Sequence, residues 1–361
     1  MADAPIESGV RCMLMRGGSS KGAFFVADDI PSDPHERDRF LVSVMGTPDP
    51  RQIDGIGGAH PLTSKVAIVA PSPNDTADVD YLFLQLGVDK PTVSDQQNCG
   101  NLLAGVGPFA VERGLVAVND GTANVRVRML NTNSIATARF AVSSGLPVYA
   151  GDTAISGVPG TGAAIRLDFD GIAGGSTGSL LPTGSINNEI RGVKCTLIDN
   201  GMPVVVMRAD ALGVTGHEDC ATLEANESLR SQLEQIRLEA GRLMGLGDVS
   251  EATIPKLTMV APPTNGGQIC TRTFIPHRCH DAIGVLGAVS VATAARLPTS
   301  PAAEVYNPPS TPNRVVLEHP TGKFEAVVEL DLTTGQPVVG SAGIIRTARK
   351  LMDGTVFARH Y

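Results

Sequence analysis

Two short segments, Asn98-Cys99-Gly100-Asn101 and His277-Arg278-Cys279-His280-Asp281, stand half a chain apart. Each puts a thiol and polar neighbours just ahead of an apolar, small-residue stretch of helical character. A chain of 361 residues exceeds one ordinary core, and a feature that recurs at half its length predicts two similar lobes. A cleft between such lobes would be framed by one segment from each. A helix start at either place would attract anions and favour thiolate.

The rest of the chain repeats one grammar. Val66 to Ala70, Tyr81 to Val88, Asn124 to Leu130 and Ile135 to Val142 are β-branched or alternating runs bounded by Gly, Pro, Asn and Asp, which predicts strands. Between them a single helix is expected over Gly100 to Arg113. It is apolar nearly all round, as a helix enclosed by sheet would be, with Pro108 as a point where it could kink. The second half has strand-like runs at Lys194 to Ile198, Val204 to Met207, Leu257 to Val260, Ile269 to Phe274, Arg314 to Glu318 and Phe324 to Leu330. One buried helix, Asp281 to Leu297, interrupts them. Asn226 to Met244 differs, because Leu229, Leu233, Ile236, Ala240 and Leu243 form a stripe beside charged faces, the pattern of a surface helix.

With 40 Gly, 25 Pro and no Trp, the composition favours short strands and turns, and the class expected is α+β. The Gly-rich stretch Gly171 to Asn188 marks a domain boundary, giving lobes 1–184 and 185–342, with 343–361 free to return to the first. A net charge of −8 argues against nucleic-acid or anionic-membrane surfaces. The absence of an apolar leader and of any long apolar run makes the cytoplasm the expected location. Six scattered cysteines without a Cys-x-x-Cys pair fit reduced thiols, and no zinc-like spacing is completed around His277, Cys279 and His280, so no metal is expected.

Several segments could carry chemistry. Arg16-Gly17-Gly18-Ser19-Ser20-Lys21-Gly22 lacks the order of a phosphate-binding P-loop; it reads either as a plain turn or as a carboxylate-binding one. Lys65, after Thr63-Ser64, enters an apolar strand, where desolvation would favour the neutral amine that a general base needs; the alternative is a solvated strand end. Cys99 is either an activated thiol or a buried one. Arg272, His277, Arg278 and His280 concentrate positive charge near Cys279, whereas His319-Pro320-Thr321-Gly322 reads by itself as a turn.

Taken in order, Arg16 to Gly22, Thr63-Ser64-Lys65, Asn98 to Asn101, Leu180-Leu181-Pro182-Thr183-Gly184 and His319 to Gly322 resemble the PrpF-like isomerases of the diaminopimelate-epimerase superfamily, over nearly the whole chain. Ile198-Asp199-Asn200-Gly201-Met202-Pro203 and the run Ile275 to Val289 look most like the branch acting on 4-oxalomesaconate. The resemblance implies two similar lobes, each a curved sheet or barrel around a central helix, with the active site in the cleft between them. It implies an enzyme that shifts a proton in an unsaturated polycarboxylate without metal or organic cofactor, here between enol and keto forms of oxalomesaconate in gallate or protocatechuate breakdown. Carried over, Lys65 and Cys99 would be the acid/base pair. Arg16, Ser19, Ser20, Ser64, Asn98, Gly100, Asn101, Arg272, His277, Arg278, His280, His319, Thr321 and Gly322 would hold the substrate. The sequence Cys279-His280-Asp281 departs from the two-cysteine epimerases, which puts His280 rather than a second thiol at the second pole. The partner implied is a small polycarboxylate, and a homodimer is allowed. The alternatives are a 2-methylaconitate cis-trans isomerase and a non-catalytic anion-binding protein.

Overall fold

The structure is a computed structural model that describes residues 9–95, 99–169, 171–309, 313–333 and 335–359. It divides into two compact units, Met1–Asp168 with Arg346–Tyr361, and Phe169–Ile345.

In the first unit the strands are β1 (Val10–Gly17), β2 (Ser20–Val26), β3 (Lys65–Pro71), β4 (Val79–Leu86), β5 (Val93–Ser94), β6 (Gly121–Met129), β7 (Ser134–Ser143), β8 (Leu146–Pro147) and β9 (Ile165–Phe169). The terminal strand Ala348–Val356 pairs antiparallel with β1, so the tail belongs to this unit's sheet. β1 runs antiparallel to β2, β2 parallel to β3, β3 antiparallel to β4, β4 parallel to β6 and β6 antiparallel to β7. Side chains alternate across such a sheet, so each strand divides its residues between two faces. Val66 and Ile68 pack outward with Phe40, Leu41 and Val44 of helix α1 (Pro34–Met45). Lys65, Ala67 and Val69 therefore lie on the opposite face.

That opposite face curves around the central helical segment, which is not the single helix expected. It consists of α2 (Gly100–Leu103) and α3 (Val106–Glu112), broken at Ala104 and Gly105. Pro108 is the reason: it has no N–H for the carbonyl of Ala104, and its ring crowds that oxygen, so a continuous helix cannot pass. The break suits the packing, because a Cβ on Gly105 would come within 2.7 Å of the Phe24 ring, and Phe24 itself stacks at 5.5 Å on Phe109.

The second unit holds β10 (Asn188–Ile190), β11 (Val193–Asp199), β12 (Pro203–Arg208), β13 (Lys256–Ala261), β14 (Ile269–Ile275), β15 (Arg278–Cys279), β16 (Arg314–His319), β17 (Gly322–Asp331) and β18 (Val338–Arg346). From β11 the directions repeat those of the first unit: antiparallel to β12, parallel to β13, antiparallel to β14, parallel to β16 and antiparallel to β17. The outer helices α4 (Cys220–Ala225) and α5 (Glu227–Leu243) follow β12, as α1 follows β2. The central helix α6 (Val285–Arg296) follows the β14–β15 hairpin, as α2 and α3 follow β4 and β5. The duplication read from two thiol segments thus extends to the strand order.

Three expectations change here. The boundary falls after Asp168 rather than Gly184, because residues 174–177 bond to the second unit's Asp199, through Gly174 N–H to its carbonyl and the Ser176 and Thr177 amides to its carboxylate. α6 starts at Val285, not Asp281, so Cys279 sits in a strand and not at a helix start. On α5 the stripe of Leu229, Leu233, Ile236 and Ala240 is buried, but Leu243 is 46% exposed, while Arg237 is fully buried, donating to the carbonyls of Val249, Ala252 and Ile254.

Candidate active site

In the first unit, Lys65 opens β3 directly opposite Gln85 of β4. Its Nζ donates to Gln85 Oε1 at 2.9 Å and stands 5.0 Å from the centre of the Phe83 ring. The Gln85 amide is held in turn, since its Nε2 donates to the carbonyls of Pro61, Ser64 and Leu86. With the NH2 committed to carbonyls, only the oxygen can face the ammonium. Lys65 is 7% exposed, and among the described residues no carboxylate lies within ion-pairing distance of it. Ser64, expected to bind substrate, is fully buried, and its hydroxyl donates to Gln52 Oε1, so it supports the loop behind Lys65 instead.

Cys99 caps α2, its Sγ accepting from Leu102 N–H at 3.4 Å and lying 3.9 Å from Ser20 Oγ. Tyr81, on the same face of β4 as Phe83 and Gln85, is fully buried; burial pushes its hydroxyl far up, and Cys99 adds to the effect. Among the described residues that hydroxyl has no hydrogen-bond partner. Alternate residues of one strand, Tyr81, Phe83 and Gln85, therefore form a strip bordering Cys99 at one end and Lys65 at the other. The strip is kept in place by Asn131, whose side chain accepts from Phe83 N–H and donates to Phe83 C=O, as a neighbouring strand would.

The Gly17–Ser20 turn packs against the start of α2. A Cβ on Gly17 would fall 2.7 Å from the Asn101 carbonyl, and one on Gly18, at φ +51°, would fall 2.2 Å from Asn101 Oδ1. Only glycine permits both that conformation and that approach. Asn101 Oδ1 accepts from Arg346 Nε, a residue far along the chain that sequence patterning does not single out. Arg16 braces the turn, donating to the carbonyls of Gly18 and Thr347, and burial followed by the nearby Arg349 lowers its pKa. Ser19 is half-buried and Ser20 buried in this turn, and Gly100 is the first residue of α2. Asn98 lies outside the described residues.

In the second unit the expected residues separate. Phe274 pairs with Cys279 and Ile275 with Arg278, which makes Pro276 and His277 the tip of a hairpin. His277 is consequently exposed, 3.7 Å from Glu234, and Arg278 is 82% exposed and paired at 2.9 Å with Glu224. Both side chains are engaged at the surface, and neither joins the cluster. Cys279 is buried on the α5 side, where desolvation and the adjacent Cys220 push its thiol up, the reverse of an activated thiolate. Arg272 shares the α5 side with Cys270 and Phe274; its Nε donates to Glu218 C=O and its Nη1 to Thr271 C=O, tying the loop before α4 to the sheet.

His280 belongs to the other face. Its N–H donates to Thr273 C=O, continuing the hairpin ladder, and its Nδ1 accepts from Ala282 N–H at 2.8 Å. A nitrogen that accepts carries no proton, so the neutral ring bears its hydrogen on Nε2. Burial lowers the pKa, with Asp281 opposing and Lys256 reinforcing, and this keeps the imidazole neutral with one N–H to offer. His319 is likewise lowered by burial, and its Nδ1 lies 3.3 Å from Thr321 Oγ1. Thr321 donates to Asp281 C=O from both its hydroxyl and its amide, so the Thr321-Gly322 turn anchors the segment that carries His280. Among the described residues no group of three or more His, Cys, Asp or Glu is arranged to hold a metal ion.

Each unit thus gathers a distinct polar cluster on the face opposite its outer helix. The first holds a lysine, a thiol and hydrogen-bond donors; the second holds neutral imidazoles. Residues 8–359 match the family described as PrpF protein. The chain is 56% identical over 96% of both chains to the (4E)-oxalomesaconate Δ-isomerase of Novosphingobium, and 53% identical to the 4-oxalomesaconate tautomerase of Pseudomonas putida, over 97% of this chain and 96% of that one. Among solved structures it resembles methylitaconate-Δ-isomerase, with a TM-score of 0.86 at 31% identity over 97% of this chain and 95% of that one. A hydroxyproline epimerase from Agrobacterium vitis shares the fold, with a TM-score of 0.53 at 13% identity over 98% and 94%.

Proposed function

The chain belongs to the PrpF family, and on that premise we propose that it is an isomerase that moves a proton within 4-oxalomesaconate, a keto tricarboxylate with one carbon–carbon double bond. The two relatives above half identity are both named for that substrate, whereas the 2-methyl-aconitate isomerase of Shewanella oneidensis is 32% identical. Those two names differ, one a tautomerase and the other a Δ-isomerase, but the chemistry is shared. A C–H or O–H proton leaves, a delocalised dienolate forms, and a proton returns at another atom of the same conjugated system.

The observation that carries this reading is the Lys65 amine held by a neutral amide instead of a carboxylate. A carboxylate at that distance would stabilise the ammonium and hold back the proton acceptor, whereas the Gln85 oxygen orients the nitrogen without adding charge. In the proposed step the Lys65 lone pair takes the proton as the substrate C–H bond breaks. The electron pair left behind spreads into the conjugated carbonyl. Cys99 S–H then returns a proton at the far end, and the two groups exchange protons with solvent to reset. Amides and hydroxyls of the Gly17–Ser20 turn would donate to carboxylates and to the developing enolate oxygen, the arrangement that lowers such barriers. The reaction asks nothing of a metal or organic cofactor, and a place in cytoplasmic breakdown of gallate or protocatechuate follows from the substrate. Among the described residues no helix is long and apolar enough to cross a membrane.

Incubation with oxalomesaconate in deuterated water tests the reading. Enzyme-dependent loss of the enol absorbance, with deuterium at one carbon by NMR, is expected; an uncatalysed rate in the presence of the protein would sink it.

A further inference from the structure

The repeated strand order puts two lysines in equivalent positions. Lys65 begins β3, the strand parallel to β2, and Lys256 begins β13, the strand parallel to β12. Each lies on the face opposite the outer helix, because the next residues, Val66 and Leu257, pack into the α1 and α5 clusters respectively. On that face Thr258 pairs with Thr273, their hydroxyls 3.0 Å apart, and Thr273 C=O receives His280 N–H. Residues paired across strands share a face, so Thr258, Thr273 and His280 form one row, and Lys256 is two residues from Thr258 on the same side.

We propose that Lys256 is a substrate-binding residue that, with His280, holds one carboxylate of the polyanionic substrate; this rests on the isomerase reading above. The cations that sequence patterning offered for this pole are elsewhere. His277 is at the hairpin tip, Arg278 is beside it in β15 and paired with Glu224, and Arg272 is on the α5 side. Lys256 is half-buried, and among the described residues its ammonium has neither an ion-pair partner nor a hydrogen-bond acceptor. Burial and then Arg237 bring its pKa down to about 8, and its charge is felt at His280. A half-buried ammonium without a counter-charge is costly unless a ligand supplies one. A carboxylate shared between an ammonium and the His280 Nε2–H meets that need.

The test uses Lys256→Gln and Lys256→Met, with Lys256→Arg as the charge-retaining control and Lys65→Ala as a catalytic control. KM for oxalomesaconate and the inhibition constant of tricarballylate, a saturated tricarboxylate that cannot isomerise, are measured on each folded variant. The neutral variants should raise both constants about tenfold or more with kcat within about threefold, while the Arg variant stays near wild type. Unchanged constants in either neutral variant overturn the proposal while leaving the isomerase reading intact. So does a loss that arginine fails to restore. A wild-type chain without activity on oxalomesaconate would instead overturn the reading, and this inference with it.

Discussion

Lys65 Nζ donates to Gln85 Oε1 at 2.9 Å, and the three carbonyls around Gln85 Nε2 leave that amide no other orientation. Gln85→Glu replaces the neutral acceptor with a carboxylate at the same place. A charge so close should move the acidic limb of the pH–rate profile upward by about one to three units, because the lysine then keeps its proton to higher pH. Gln85→Leu should lower kcat about 10- to 100-fold with little change in KM. A limb that stays put in Gln85→Glu would remove Lys65 from the role of base.

Cys99→Ser separates structure from chemistry at the other end of the strip. Serine caps helices well, so the bond from Leu102 N–H should survive and urea stability should stay within about 0.5 kcal/mol. Proton return from a serine hydroxyl is far less favourable, and kcat should fall at least about 100-fold. Full activity in the serine variant would mean that the thiol gives no proton.

Tyr81 carries a buried hydroxyl without a partner among the described residues. Such a group costs about 1–3 kcal/mol, so Tyr81→Phe should raise the free energy of unfolding by about 1 kcal/mol. A drop in stability, measured by urea titration, would show that the hydroxyl is satisfied in solution.

His280 and His319 both have pKa values held below their usual range, first by burial. For a histidine depressed in the folded state the unfolded chain binds protons first as pH falls. Stability should therefore be complete above about pH 6.5 and decline as pH drops below it toward the folded-state pKa values. The decline, followed by thermal unfolding between pH 7 and 5, should be shallower in His280→Gln/His319→Gln than in wild type. Equal slopes would contradict the burial argument.

Gly18→Ala sets a methyl group against Asn101 Oδ1 in a left-handed backbone conformation. The expected cost is about 1–3 kcal/mol. The displaced Asn101 should loosen from Arg346, and KM should rise along with the loss of stability. An undisturbed variant would show that this turn yields.

Most strands were legible because alternation and turn residues are local signals. Glu227–Leu243 was found within one residue at each end, since its buried stripe and its Asn226 cap are written in consecutive sequence. Lys65 and Cys99 were singled out by the ordered motifs of the family resemblance, since local pattern alone left each with a structural alternative. Gln85 and Tyr81 were not: each looks like any residue of an alternating strand until pairing sets Gln85 opposite Lys65 and β4 lays Tyr81 beside Cys99. Arg346 reaches Asn101 from the far end of the chain, a closure no local pattern announces.

By itself the sequence determined the α+β class and the duplication, because apolar periodicity and turn chemistry survive in one dimension, and its ordered motifs offered Lys65 and Cys99 as candidates for proton transfer. Only the tertiary structure decided on which face of the second unit each charged residue lies. His277 went to a hairpin tip with Arg278 beside it, Arg272 to the outer face of its sheet, and Lys256 to the face that carries His280. The physical reason is parity: in a strand one step along the chain reverses the face, so neighbours in sequence part company, and partners are chosen by register across strands.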